Sequence, residues 1–256
     1  MSSIRTIARR LPPLIPHLGL RALQAAAVVP GAVRFVRDRR AYAALPGAEQ
    51  LRLRDTFPKL ADRLSTTPYD SHYLFQDTWA AQRIAEVGPS RHVDVGSRVD
   101  FVCFLTAITR VAFVDIRPLT APIDGLEPIT GSILDLPFED QSLPSVSCLH
   151  VVEHIGLGRY GDPLDPLGSR RAIAELQRVV APGGELLFAT PVGRPRVCFN
   201  AHRVHDPREI RALFGELELV EFAGVDDGGE FRRHREVDEF ADQSYACGMY
   251  RLRRTA

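Results

Sequence analysis

Between residues 90 and 190, short apolar runs alternate with helix-length segments, and this alternation constrains the fold more than any other feature of the chain. Arg91–Val95 reads as a buried strand, Val99–Thr109 as a helix and Val111–Asp115 as a second strand. Ser145–Val151 reads as a strand, Ser169–Val180 as a helix and Glu185–Thr190 as a strand. Strands buried on both faces and joined by helices form βαβ units, so the expected fold is α/β, with a doubly wound, mostly parallel sheet. The crossovers should be right-handed. Glu216–Gly224 and Tyr245–Arg253 are strand-like, with a polar stretch between them that lacks a long helix, and should pair antiparallel at one edge. Before residue 90 the patterns are helical: Ile4–Arg10, Leu18–Val29 and Val33–Leu45, broken by Pro12, Pro13, Pro16 and Pro30, then Ser71–Val87 closed by Gly88-Pro89. The expected organisation is an N-terminal helical extension or cap over 1–88 and a cofactor-binding domain over 89–256.

The 32 basic and 32 acidic residues balance, so nothing global points to nucleic acid. The balance is uneven along the chain. Residues 1–40 carry eight arginines (Arg5, Arg9, Arg10, Arg21, Arg34, Arg37, Arg39, Arg40) against Asp38, leaving 24 basic and 31 acidic residues elsewhere. Such a segment reads as a helical cap over the sheet, or alternatively as a peripheral contact with an anionic membrane. No apolar run approaches the ~20 residues that span a bilayer, and no signal-peptide pattern is evident. The expected location is therefore cytoplasmic, with the membrane-peripheral alternative. Cys103, Cys148, Cys198 and Cys247 never fall at CxxC spacing and read as reduced thiols.

Ligands of open α/β sheets bind at the carboxyl ends of strands, where the strand order reverses. The first strand ends in Asp94, Gly96 and Ser97, and a helix follows directly. Gly96 permits a sharp turn and close backbone approach. No GxGxxG pyrophosphate loop is present, which argues against a nicotinamide dinucleotide. An acid before the glycine would repel phosphate but suits an ammonium. Asp115 ends the next strand, 21 residues after Asp94, where a carboxylate can accept hydrogen bonds from ribose hydroxyls. Asp135 and Leu136, after a short third strand, are candidates for an adenine amine and an adenine face. Together these features point to a phosphate-free, nucleoside-containing cation.

The strings VDVGS, VDI, LDLPFED, HVVEHIGLGRYGDPLDP and ELQRVVAPGGELLFATPVG, in this order over roughly residues 90–225, resemble the class I (Rossmann-like) methyltransferases that use S-adenosylmethionine, SAM. The GLGRYGDPLDP extension resembles a little-characterised subgroup catalogued as a domain of unknown function, whose members often resemble enzymes of surface-glycan pathways. The resemblance implies SAM as cofactor, with Asp94, Gly96 and Ser97 on its methionine half, Asp115 on the ribose, Asp135 and Leu136 at the adenine, and His150 beside the sulfonium. After Gly96 the loop departs from the family's usual DxGxGxG pattern. The implied function is methyl transfer to a small molecule or glycan-type acceptor, at an oxygen. The alternative is a degenerate SAM-binding module that scaffolds a pathway.

A hydroxyl acceptor needs a general base, and His154 is the candidate, with His202 as alternative. The loop Ile155–Gly168 is the candidate substrate side, through Arg159, Tyr160 and Asp162, joined by Glu153 and by Asn200 and Arg203 further on. His150-Val-Val-Glu153-His154 also matches the HxxEH zinc pattern. The preceding run reads as a strand and glycines follow, so the two histidines need not share a helix face, and no metal is expected. No Asn/Asp-Pro-Pro-Tyr/Phe motif follows the fourth strand, which argues against methylation of DNA bases.

Overall fold

Apolar side chains along the central strands point alternately to two sides, and each set meets its own helical layer. The computed structural model describes residues 15–117 and 119–256, with side chains described from residue 28 onward. Ten strands are β1 (Arg91–Val95), β2 (Arg110–Asp115), β3 (Leu126–Thr130), β4 (Leu143–Leu149), β5 (Val180–Val192), β6 (Arg196–Cys198), β7 (His202–Val204), β8 (Glu218–Val225), β9 (Phe231–Arg232) and β10 (Ala246–Arg253). Eight of them form one sheet in the order β3-β2-β1-β4-β5-β10-β8-β9, while β6 and β7 form a separate hairpin. β1 pairs parallel with β2 and β4, β2 with β3, and β4 with β5. β10 runs antiparallel between β5 and β8. The parallel sheet with an antiparallel end is the one expected, although β10 is interior and β9 forms the edge.

The helices are α1 (Ile15–Ala43), α2 (Ser71–Val87), α3 (Val99–Leu105), α4 (Gly168–Val179) and α5 (Pro207–Leu213). Val111 and Phe113 of β2 and Leu187 and Ala189 of β5 share one core with Trp79, Ala80 and Ile84 of α2 and Phe101, Val102 and Leu105 of α3. Ala112, Val114, Leu186 and Phe188, one residue out of phase, join Ala172, Ile173, Leu176 and Val179 of α4 in the other core. Two-residue alternation along the strands thus meets helical spacing on both faces. Each large apolar side chain fully removed from water contributes about 1.5–3 kcal/mol.

The chain divides between Pro68 and Tyr69, earlier than the expected 88/89. The reason is α2. Its Asp70 cap accepts from His72 N at 3.0 Å and Tyr73 N at 3.3 Å, and Gly88 closes it at φ 62°. Its buried stripe Gln76, Trp79, Ala80, Arg83 and Ile84 packs within the sheet unit. In the first unit α1 runs continuously through Pro30, where two helices were expected. A proline removes one backbone hydrogen bond but need not end a helix. Arg34 and Arg39 tie α1 to the segment behind it, through Leu60 O at 3.1 Å and Leu51 O at 2.8 Å. The expected helix Ile4–Arg10, with Arg5, Arg9 and Arg10, and the side chain of Arg21 lie outside the described residues. Among the described residues no helix is long and apolar enough to cross a membrane.

Candidate functional site

β1 has β2 on one side and β4 on the other, so the connections leave its carboxyl end in opposite directions and open a crevice there. The crevice offers about 90 Å³ of space to water-sized molecules and opens to solvent. Its walls include Gly96 after β1, Asp115 to Arg117 after β2, Gly131 and Ile133 after β3, and His150, His154 and Tyr160 after β4.

Gly96 sits at φ 71°, and a Cβ there would meet Val151 Cγ1 at 3.0 Å. Asp115 stands at the rim as expected. Its carboxylate accepts from the backbone N of Arg117 at 2.7 Å and from that residue's guanidinium at 3.2 and 3.3 Å. The Arg117 cation lies 4.8 Å from the Tyr160 ring centre, and Arg159 approaches the same ring at 5.0 Å.

Asp94 is not at the rim. It is fully buried, accepting from Ser97 N at 3.0 Å and from Ser147 Oγ. Burial raises its carboxyl to about 7. Ser97 in turn accepts from Leu149 N at 3.0 Å. This pair folds the loop and ties β1 to β4, rather than offering side chains to a ligand. Leu136, expected at the adenine, is packed in the core, and Asp135 is exposed outside the crevice lining. Ile133 is the apolar residue that faces the crevice on that side.

His150 follows β4 at φ 56° and turns its ring towards α2, where Nδ1 bonds Gln76 Oε1. Tyr73 and His72 flank it, with ring centres at 5.4 and 5.7 Å. His154 lies in a 3₁₀ turn, Val152–His154, and donates from Nδ1 to Ala201 O at 2.6 Å. That bond leaves the Nε2 lone pair free to accept a proton. Burial lowers His154 to about 4. Its Nε2 is 3.6 Å from Glu153 Oε1. Glu153 is 1% exposed, receives a 3.4 Å contact from Thr190 Oγ1, and is raised by burial to about 8, so it is a neutral acid at pH 7. His150 and His154 point to different partners, which removes the geometry the HxxEH pattern requires.

The loop after this turn folds back on itself. Asp162 accepts from Gly156 N at 2.6 Å and Tyr160 N at 3.2 Å, so it holds the loop's shape instead of facing a substrate. Arg203, 9% exposed, donates to Ile155 O at 2.6 Å, Ser169 Oγ at 3.1 Å and Asp165 O at 3.4 Å. Asn200 is exposed at φ 62° between β6 and β7, a turn residue. Arg159 also holds structure, through Ala201 O at 3.1 Å, while Tyr160 stays half-exposed at the mouth. His202 packs on Tyr245, whose ring stacks on His72. The sequence reading missed His72, Tyr73 and Gln76 by assigning α2 to the cap. The available signal was the polar cluster His72-Tyr73 and Gln76 ahead of the apolar stripe.

The strand order and the crevice define the class I methyltransferase fold. Among solved structures, the chain is similar to the N-methyltransferase NodS of Bradyrhizobium japonicum WM9 with S-adenosyl-L-homocysteine: TM-score 0.53, 18% identity, covering 76% of this chain and 91% of that one. It is similar to the [4+2]-cyclase SpnF at TM-score 0.52 and 12% identity, over 70% of this chain and 81% of that one. For geranyl diphosphate C-methyltransferase from Streptomyces coelicolor A3(2) the values are 0.51 and 14%, over 70% and 79%. Residues 140–234 match a family described as a Caenorhabditis protein of unknown function, DUF268. No curated protein matches. At these identities the likeness establishes the fold alone, and a cyclase among the neighbours shows that this fold does not dictate methyl transfer.

Proposed function

We propose that this chain is a SAM-dependent methyltransferase that acts on a small-molecule or glycan-type acceptor, at oxygen. The observation that carries the reading is the crevice itself: Gly96 at a left-handed φ beneath it, the Asp115 carboxylate at the tip of the next strand, and Ile133 facing them from β3's end. Asp115 would hold the ribose hydroxyls, Ile133 would cover the adenine, and the backbone around Gly96 would pass along the methionine half. SAM supplies a methyl group on a sulfonium. The protein's part is to orient the acceptor and exclude water. Oxygen is favoured because a hydroxyl attacks well only as its proton leaves, and His154, which lines the crevice next to Glu153, would take it. His202 is the alternative base. The glycan-type acceptor rests on the resemblance of the loop after β4.

A second reading, a SAM binder without turnover, is favoured by Arg117, which occupies the carboxylate a ribose would need. Calorimetry with SAM, S-adenosylhomocysteine and NAD, followed by tritiated methyl transfer to a panel of sugars and phenols, separates the readings. Heat from the two sulfur nucleosides and label in product support the enzyme. Heat without label supports the binder. Absence of heat from both at millimolar concentration removes both.

A further inference from the structure

His150 carries a feature that cofactor binding does not use. Its Nε2 is shielded from solvent and has no hydrogen-bond partner. A buried polar atom left in this state is a cost to the fold. Two other donors converge on it. His72 in the first turn of α2, His150 after β4 and Cys247 in β10 each present one ligand atom, and the three atoms lie within 4.8 Å of one another.

Both imidazoles are held by neighbours. His150 Nδ1 bonds the Gln76 side-chain oxygen, which fixes the proton on Nδ1 and leaves the lone pair on Nε2. The His72 ring is stacked on the Tyr245 ring, centres 5.2 Å apart. Histidines that ligate metals are typically held in this way, with the outer nitrogen donating to an oxygen that fixes tautomer and ring plane. Two neutral imidazoles and a cysteine sulfur are the donor set of zinc and its softer neighbours, not of calcium or magnesium, which take oxygen.

We propose that His72, His150 and Cys247 form a three-ligand site for a zinc-class transition metal, with a fourth position left for water. Cys247 is buried, and burial favours its protonated thiol. On binding, the S–H bond breaks, the proton leaves to solvent and the sulfur lone pair forms the metal bond. The ion keeps its charge and no electrons are transferred. The HxxEH pattern paired His150 with His154; the fold pairs it instead with residues 78 positions before and 97 positions after it. The site stands independently of methyl transfer.

The test uses the full-length chain, stripped with a chelator, dialysed and titrated with Co²⁺ alone, then with Zn²⁺ in competition. The expected result is one equivalent of Co²⁺, a sulfur-to-cobalt charge-transfer band in the near ultraviolet and its displacement by Zn²⁺. Cys247→Ser should abolish the band, and Cys198→Ser should keep it. Gln76→Ala should weaken Co²⁺ binding about 10- to 100-fold. Circular dichroism establishes that each variant is folded. Substoichiometric binding by the folded wild type overturns the site, as does a band that survives Cys247→Ser. If Cys247→Ser does not fold, unchanged affinity in Gln76→Ala overturns it. S-adenosylhomocysteine calorimetry on the same stripped protein reports the cofactor reading separately.

Discussion

Replacing Asp115 tests the proposed cofactor site most directly, because ribose hydroxyls would have to displace the cation that already engages this carboxylate. In the structure it is held by Arg117, through one backbone and two guanidinium contacts between 2.7 and 3.3 Å. The Arg117 side chain is 64% exposed and that of Asp115 14%. An exposed pair of this kind is worth about 0.2–1 kcal/mol. Hydrogen bonds from ribose hydroxyls to a carboxylate are worth about 1.5–3 kcal/mol. The ribose therefore wins the competition, at a discount. Net of that discount, about 0.5–2.8 kcal/mol remains, so Asp115→Ala should weaken S-adenosylhomocysteine binding by roughly 2- to 100-fold, from the tenfold change per 1.4 kcal/mol. Arg117→Ala should tighten it by up to about fivefold at low salt, with the gain shrinking as salt screens the pair in the wild type. Isothermal titration calorimetry at two ionic strengths measures all of this. An Asp115→Ala affinity within twofold of wild type would refute the ribose role, and weaker binding in Arg117→Ala would show that the arginine assists the ligand rather than competing with it.

Other substitutions check the supporting structure. Asp94→Asn should leave S-adenosylhomocysteine affinity within tenfold of wild type, since the side chain folds the loop from beneath. Asp94's native pKa is raised by burial to about 7, so its contribution to stability is full below the unfolded value of about 3.9 and is lost as pH rises through 7. Urea melts should therefore show Asp94→Asn gaining stability relative to wild type across that window, and a pH-independent difference would dismiss the buried acid. Gly96→Ala strains a left-handed φ and pushes on Val151, so it should cost about 1–3 kcal/mol in melts and abolish cofactor heat. Gly156→Ala would set a Cβ 2.0 Å from Asp165 O, and limited proteolysis should then cut the loop after β4 that resists in the wild type. Arg83→Ala removes the 2.7 Å partner of buried Glu221 but leaves Arg233 at 3.1 Å, and should cost about 3 kcal/mol; a double variant with Glu221→Gln that recovers nothing would contradict the pairing.

The sheet was legible because parallel strands buried on both faces must be continuous apolar runs, and Val111–Val114 and Leu186–Ala189 are such runs. The antiparallel end was legible from the missing helix between the last two strands. The positions of Asp115 and Gly96 beside the crevice were legible because a strand's carboxyl end fixes where its last residue lies. Side-chain direction was not legible. Asp94 and Asp115 look alike in sequence, yet Asp94 turns inward because Ser97 N and Ser147 Oγ await it, and Ser147 lies on another strand. Asp162 and Arg203 fail as substrate groups for the same reason: their partners are backbone atoms that only the folded loop brings near.

The boundary at 68/69 follows from the same physics and bears on the site. α2 is held near its carboxyl end by Arg83, which donates to Glu221 at 2.7 and 3.1 Å from within the core. Burial pushes Glu221 up, but Arg83 and Arg233 outweigh it and hold its carboxyl at about 2. Glu221 is thus charged throughout the working pH range, and the anchor persists with it. At the other end the Asp70 cap starts the helix and sets His72, Tyr73 and Gln76 against His150. A helix pinned at one end by a buried ion pair and at the other by its cap has little freedom to rotate about its axis. The crevice wall is consequently placed by residues some distance from it. Loss of the Arg83 anchor should disturb the His150 environment before it unfolds the sheet, which places α2 functionally with the strands it covers.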